Sequence, residues 1–450
     1  MSAADFPKRK SVAVIGGGWA GCAAAVELSE KGHRVTLFEA GRILGGRARR
    51  TEINGSALDN GQHILLGAYT ESLRLMRMVG IDIEAAFLRL PLQMRYPPNS
   101  GGIDFIAARL PAPFHLLAAL LGAKGLTLPD KLALSRFSTA ARWMGWTLNT
   151  DCPVSELLER FDQTERLIQL LWRPLCIAAL NTPPENASAN VFLSVLRDSL
   201  GARKRAASDM LLPRHDLTAL FPGNAAAFVE RNGGNVLYGR TVRRLHRDDS
   251  GWSVETSAAA GPRHDQPFDA VVMATPAVHA AALLDGFMDT GPLSSLEYEP
   301  IATCYLQYPP DTGLAQPFYA LIDDAGSGKW GQFVFDRGQL FADQAGLLAV
   351  VVSTASAAIK LEKNSLEAAI AAQLAHELQR PELASPLWSR TISEKRATFA
   401  CTPALVRPDN ATGIDGLAIA GDYTMSHYPA TLEAAIRSGV KASALLSGNS

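Results

Sequence analysis

The sequence predicts an α/β protein: a Rossmann-like nucleotide-binding domain built from both ends of the chain, a second domain around a mixed sheet, and a helical insert. Three observations carry this expectation. Residues 11–47 read as strand, glycine-rich turn, helix and strand, with Gly16, Gly18 and Gly21 in G-x-G-x-x-G spacing. Near the other end, a short apolar run at 416–420 delivers Gly421 and Asp422, and a helical pattern begins after Pro429. Between them, 111–221 carries apolar residues at helical spacing, whereas 293–396 alternates in the manner of antiparallel strands.

Val12, Ala13, Val14 and Ile15 make the first strand. Gly16 takes the tight turn out of it, and Gly18 lets the backbone approach a pyrophosphate with no Cβ in the way. Gly21, with Ala23, Ala24 and Ala25 behind it, lets the helix pack closely on the sheet. The helix over 22–29 opens with unpaired N–H groups and a partial positive charge suited to an anion, and Gly32 closes it. The second strand, 35–38, ends at Glu39. A carboxylate there accepts bonds from both ribose hydroxyls and repels a 2′-phosphate. A purely structural turn would leave three glycines and this acid without a purpose.

After Glu39, Gly45 and Gly46 allow the backbone to pass close to a ligand, and Arg47 is placed to donate to a phosphate. Asp59-Asn60-Gly61-Gln62-His63 follows. Residues 90–106 read as two strands around a Pro/Asn/Gly turn, 235–245 as a strand, and 268–276 as a buried strand returning to the first sheet. One helix, 365–378, interrupts the alternating region. Within the helical stretch, 116–121 and 167–180 are unusually apolar. Core packing is the ordinary explanation; a lipid-facing opening to an apolar substrate tunnel is the functional one.

A chain of 450 residues with 47% hydrophobic residues has room for two or three domains and large cores. A formal net charge of −1 argues against a nucleic-acid partner. Cys22, Cys152, Cys176, Cys304 and Cys401 form no C-x-x-C pair, so neither disulfide framework nor zinc site is expected, and a reducing, cytoplasmic setting fits. The basic N-terminus meets its glycines too soon for a signal peptide, and the greasiest stretch, 110–128, is broken by charge, prolines and glycines, so no spanning helix is expected.

The ordered motifs, G-x-G-x-x-G, Glu39, Gly45-Gly46-Arg47 and D-x-G-x-H, resemble the flavoprotein superfamily of amine oxidases and phytoene desaturases. The resemblance implies a glutathione-reductase-type domain that binds FAD rather than NAD. It further implies that Gly421 and Asp422 bond the ribityl or pyrophosphate region. The helix beginning near Thr431 and Leu432 would aim its N-terminus at the flavin, and Val242 would contact the adenine through its backbone. Cys401 invites comparison with covalently flavinylated relatives, but its surroundings do not match, so non-covalent FAD is expected. The implied division is 1–89, 222–286 and 396–450 for FAD, 90–108 and 287–395 for the substrate sheet, and 109–221 for the insert.

Residues 171–184 (LWRPLCIAALNTPP), together with Val195-Leu196-Arg197-Asp198 and Leu211-Leu212-Pro213-Arg214, narrow the resemblance to the squalene-associated dehydroxylases, a bacterial branch of that superfamily. This implies reductive removal of the allylic hydroxyl of hydroxysqualene, giving squalene, with hydride from reduced flavin N5 to an allylic cation. An acid must protonate the hydroxyl as it departs, and a dry tunnel must keep water from the cation. His63 is the candidate acid; Tyr428 is assigned to packing at the flavin face, Asp59 to backbone bonding, and Trp172 and Arg173 to structure or substrate shape. An electron donor is required that no motif identifies. Peripheral contact with the inner face of the cytoplasmic membrane is expected from the 116–121 run. The alternatives are a carotenoid-type desaturase or isomerase, and a non-catalytic isoprenoid-binding protein of the same fold.

Overall fold

The computed structural model describes residues 9–201, 204–257 and 267–448; the basic N-terminal segment considered above lies almost wholly outside these residues. Five parallel strands form the first sheet: β1 Ser11–Ile15, β2 Arg34–Phe38, β3 Asn235–Leu237, β4 Ala270–Met273 and β5 Leu417–Ile419. Their order is β3-β2-β1-β4-β5, every neighbouring pair parallel. The order reverses at β1, and in parallel sheets ligands bind beyond the carboxyl ends of the strands at such a point. Helix α1, Trp19–Glu30, covers β1 with Cys22, Ala23, Ala24 and Ala25 wholly buried. Close approach demands Gly21, because a Cβ there would lie 1.9 Å from the Gly16 carbonyl oxygen, and Gly16 itself sits at φ +108°.

The second sheet is antiparallel, ordered Phe318–Ala320, Phe333–Asp336, Leu347–Val352, Tyr298–Gln307 and Trp388–Phe399. The two-residue side-chain period divides its faces. Val334 and Val350 pack with Leu366, Ile370 and Leu374 of the helix Lys363–Glu377, whereas Phe333, Phe335 and Val351 turn to the opposite core. Trp388–Phe399 runs on past residue 396 toward the nucleotide-binding domain, so the expected division at 395/396 falls inside a continuous strand.

The insert carries helices α2 Phe114–Gly122, α3 Leu128–Trp143 and α4 Ala189–Ser199. It is not all helical: Met210–Pro213 is a strand between Leu65–Leu66 and Phe87–Leu90, tying the insert to the N-terminal half. The apolar stretch at 167–180 is also irregular, with a π-helical turn at Ile168–Trp172 before Arg173–Leu180. Pro174 lacks the N–H that a regular helix would send to Leu170, and the Leu170 carbonyl instead accepts the Tyr96 hydroxyl at 3.0 Å. The expected strand over 235–245 is two elements: β3 leaves the first sheet, Gly239 turns at φ +65°, and Thr241–Asp248 pairs in a hairpin with Gly251–Ser257. The chain closes on α5, Leu432–Ser447, which packs against α1.

Candidate active site

The carboxyl ends of β1, β2, β4 and β5 open on a cavity of about 1060 Å³ that continues into the insert. At its nucleotide end α1 begins at Gly18 with no side-chain cap, leaving its first N–H groups for a ligand. A Cβ on Gly18 would meet nothing nearer than Gly46 Cα at 4.0 Å and would project into the cavity, filling the cradle an anion needs. Gly45 N donates to Gly17 O at 2.8 Å, so the two glycine turns form one wall. Glu39 lines that wall and accepts from Gly17 N at 2.8 Å and Gly41 N at 2.6 Å. A carboxylate has about four acceptor positions, so two are left for ribose hydroxyls. The acid thus braces the turn as well as facing the ligand.

Gly16, Gly18, Glu39, Gly46, Arg47, Gly421, Asp422, Thr431 and Leu432 all line this cavity. Gly21 stands behind it as a packing residue. Arg47 is already committed: Nη2 donates to Asp422 Oδ1 at 2.5 Å and Nη1 to the Ala397 carbonyl at 2.8 Å. Burial pulls its pKa down, but the Asp422 carboxylate outweighs that and the net direction is upward. Val242 does not line the cavity; it is buried in the hairpin, beside a register shift between Val242 and Arg244.

α5 starts at the cavity wall. Thr431 Oγ1 caps it by accepting from Ala434 N at 3.1 Å, and Glu433 is held wholly buried by Ser72 N at 2.9 Å, Ser72 Oγ at 2.6 Å and Arg437 Nε at 2.7 Å. The helix dipole therefore presents positive potential to the cavity from a fixed position.

His63 also lines the wall, with Nδ1 3.4 Å from Gly61 O. Burial pushes its pKa below the ordinary value, so the imidazole is neutral near pH 7. Nδ1 lies on the side of the Gly61 carbonyl, and the ring as a whole faces the cavity. The structure thus places His63, the acid expected from sequence, in the cavity wall. Asp59 bonds backbone as expected, accepting from Leu217 N at 2.8 Å, and also pairs with Arg337 at 3.6 Å. Arg337 reaches Gln62, Gln62 reaches Tyr305, and Tyr305 donates to the Asp59 carbonyl, each at 2.8 Å. The D-x-G-x-H segment is thereby sewn to the antiparallel sheet.

Trp172 lines the cavity with its indole N–H on Gln163 at 2.9 Å, and Arg173 pairs with Asp323 at 2.9 Å. Cys401 is buried outside the cavity lining, and burial pushes its thiol up to about 12. Sequence reasoning missed the pairing of Tyr428 with Asp198: Oη donates to Oδ2 at 2.7 Å, and both line the cavity. Among the described residues no cluster of three or more His, Cys, Asp or Glu could hold a metal ion. The uncapped helix, the glycine cradle, the acid at the end of β2 and the paired Arg47 and Asp422 form a donor and acceptor set that fits a dinucleotide such as FAD.

Residues 19–447 match the model of the flavin containing amine oxidoreductase family. The chain belongs to this family. It is an FAD-dependent oxidoreductase. It is similar to proteins named hydroxysqualene dehydroxylase from Rhodopseudomonas palustris, at 29% identity over 97% of this chain and 98% of the relative, and from Sinorhizobium fredii, at 28% over 97% and 98%. It is also similar to a zeta-carotene desaturase from Capsicum annuum, at 24% over 98% of this chain and 81% of the relative. Among solved structures, cyclohexylamine oxidase from Brevibacterium oxydans superposes with a TM-score of 0.68 at 16% identity, covering 98% of this chain and 99% of that one. An oxidoreductase from Methanosarcina mazei gives 0.69 at 16%, covering 96% and 99%.

Proposed function

We propose that this flavoenzyme removes the allylic hydroxyl of hydroxysqualene reductively, giving squalene. The observation that carries the reading is the continuity of the cavity. Its nucleotide end is polar and glycine-rich, whereas its insert end is walled by Leu116, Leu120, Leu134, Trp146, Leu171 and Leu175. An apolar extension of that kind suits a long isoprenoid and offers little to a small cationic amine. Relatives named for this reaction match nearly end to end.

Gly18, Glu39, Gly46, Arg47, Asp422 and the start of α5 would hold the cofactor. When bound and reduced, FAD would supply hydride to the substrate carbon. The protein's own work is to orient the chain, to protonate the leaving oxygen, and to keep water from a cation that it would otherwise recapture. The apolar walls of α2 and α3 serve the last purpose.

Peripheral membrane contact belongs to the same reading. Phe114, Leu117 and Trp143 line the cavity, yet are 59%, 51% and 88% exposed. They form an apolar rim at the cavity mouth, the place where a lipid-dissolved substrate would enter. No helix among the described residues is long and apolar enough to cross a membrane.

A carotenoid-type desaturase or isomerase is the second reading, favoured by the carotene desaturases among the relatives. Anaerobic incubation of pre-reduced enzyme with hydroxysqualene, beside oxidised enzyme with phytoene or zeta-carotene, separates them by product. Squalene from the first is expected; a longer polyene from the second, with no squalene, overturns the proposal.

A further inference from the structure

A polar pair stands in the cavity wall beside the start of α5, and the flavin motifs do not use it. Tyr428 comes from the loop before α5 and Asp198 from α4 of the insert, yet the phenol donates to the carboxylate at 2.7 Å. The pair is braced on every side. Arg197 Nε donates to the other Asp198 oxygen at 3.0 Å, Arg407 Nη1 holds the Tyr428 carbonyl at 2.7 Å, and the Arg437 guanidinium lies 5.2 Å over the Tyr428 ring. Nearby the wall is apolar, with Val195, Leu200 and Met210. A hydroxyl on an otherwise hydrocarbon chain would find its partners here.

We propose that Tyr428, positioned by Asp198, is the catalytic acid that protonates the departing allylic hydroxyl; this rests on the dehydroxylase reading above. When substrate binds, the phenol O–H turns from Asp198 to the substrate oxygen; the C–O bond breaks with its electron pair going to that oxygen, the phenol proton passes to it, and water leaves. The allylic carbon then takes the hydride supplied by reduced FAD, and the tyrosinate regains a proton from solvent. Asp198, released from the phenol, accepts the substrate's own O–H and fixes the direction of the C–O bond. Arg437 offsets the charge left on the ring.

Burial, and after it the bond to Asp198, hold the phenol pKa above its ordinary value. The acid therefore stays protonated across the physiological range. It remains strong enough for the task, because bulk water has a pKa of about 15.7 and hydroxide takes a proton from a phenol downhill.

The test uses Tyr428→Phe and Asp198→Asn holoenzymes, with flavin content and melting measured first. Each is reduced anaerobically and given hydroxysqualene or the corresponding allylic chloride, whose leaving group needs no proton. Tyr428→Phe should lose about 100-fold or more in the single-turnover rate on the alcohol and stay within about threefold of wild type on the chloride. Asp198→Asn should show a smaller loss confined to the alcohol. Equal losses on both substrates with flavin retained, or a Tyr428→Phe enzyme that keeps its rate on the alcohol, overturns the proposal. A wild type inert toward both substrates overturns the dehydroxylase reading, and this proposal with it, a pattern distinct from a variant effect.

Discussion

Arg47 and Asp422, 375 positions apart, are joined by an ion pair of 2.5 Å at the floor of the cavity. Arg47 follows the second glycine turn and Asp422 follows β5, so this contact closes the two ends of the chain around one site. Its Nη1 bond to the Ala397 carbonyl adds the last strand of the antiparallel sheet to the same joint. The pairing lets the C-terminal acid be present in the site without standing as an unpaired buried charge.

Truncating Arg47 should therefore loosen both ends together. Arg47→Ala is expected to destabilise the fold by about 1–3 kcal/mol, below the loss for a fully buried pair because Arg47 is partly exposed. Flavin occupancy should fall as well. Urea unfolding and the visible flavin band check this; a variant with unchanged midpoint and full flavin contradicts it.

Glu39 has a double duty, since its oxygens accept from Gly17 N and Gly41 N as well as facing the ligand. Glu39→Arg should abolish FAD binding and cost some stability, whereas Glu39→Gln, which keeps one acceptor, should weaken binding by about tenfold through loss of a charge-assisted bond. Flavin titration of the apo-proteins orders the three. A Glu39→Arg enzyme isolated yellow and fully occupied removes Glu39 from the ligand.

The Asp59–Arg337 pair has a pH signature. Burial raises the Asp59 pKa from 3.8 to about 6, with Arg337 and the Leu217 N–H opposing it. A carboxyl whose folded pKa is raised contributes stability that is complete below its unfolded pKa and is lost as pH rises through the folded value. Wild type should thus lose ground to Asp59→Asn between about pH 4 and about pH 7, by about 3 kcal/mol at most. Melting curves across that range test the sign: a difference that is flat, or that grows in favour of wild type, contradicts it.

Vesicle flotation tests the apolar rim. Replacing Phe114, Leu117 and Leu121 with serine should release the protein from anionic vesicles at little cost in stability, because Leu121 is 68% exposed and the other two more than half. Wild-type protein that never floats ends the idea.

Much of this was legible in the chain. The glycine spacing, Glu39 and the run into Gly421 and Asp422 mark themselves through local patterns, whereas the β3-β2-β1-β4-β5 order is set by long-range pairing that no local pattern carries. The strand-like character of 293–396 marked the antiparallel sheet, but not that Phe333, Phe335 and Val351 would face the cavity. What stayed hidden were contacts between distant segments. Nothing in the residues near Asp198 points to Tyr428, because no periodicity links a helical insert to a loop 230 positions later. His63 was legible as a residue type suited to proton transfer, but its burial in the cavity wall, which lowers its pKa, was not. The run at 167–180 read as a plain apolar helix; its π-helical turn at Ile168–Trp172, with the Leu170 carbonyl satisfied by the Tyr96 hydroxyl, shows only in the fold.

The central claim, that two ends of the chain hold one flavin against an isoprenoid in an apolar insert, is tested most directly by anaerobic stopped-flow. Enzyme carrying fully reduced FAD is mixed with hydroxysqualene, and the visible flavin band is followed while squalene is quantified. The expected result is reoxidation of the flavin without oxygen, with one squalene formed per flavin reoxidised. A flavin that stays reduced in the presence of saturating hydroxysqualene contradicts the claim.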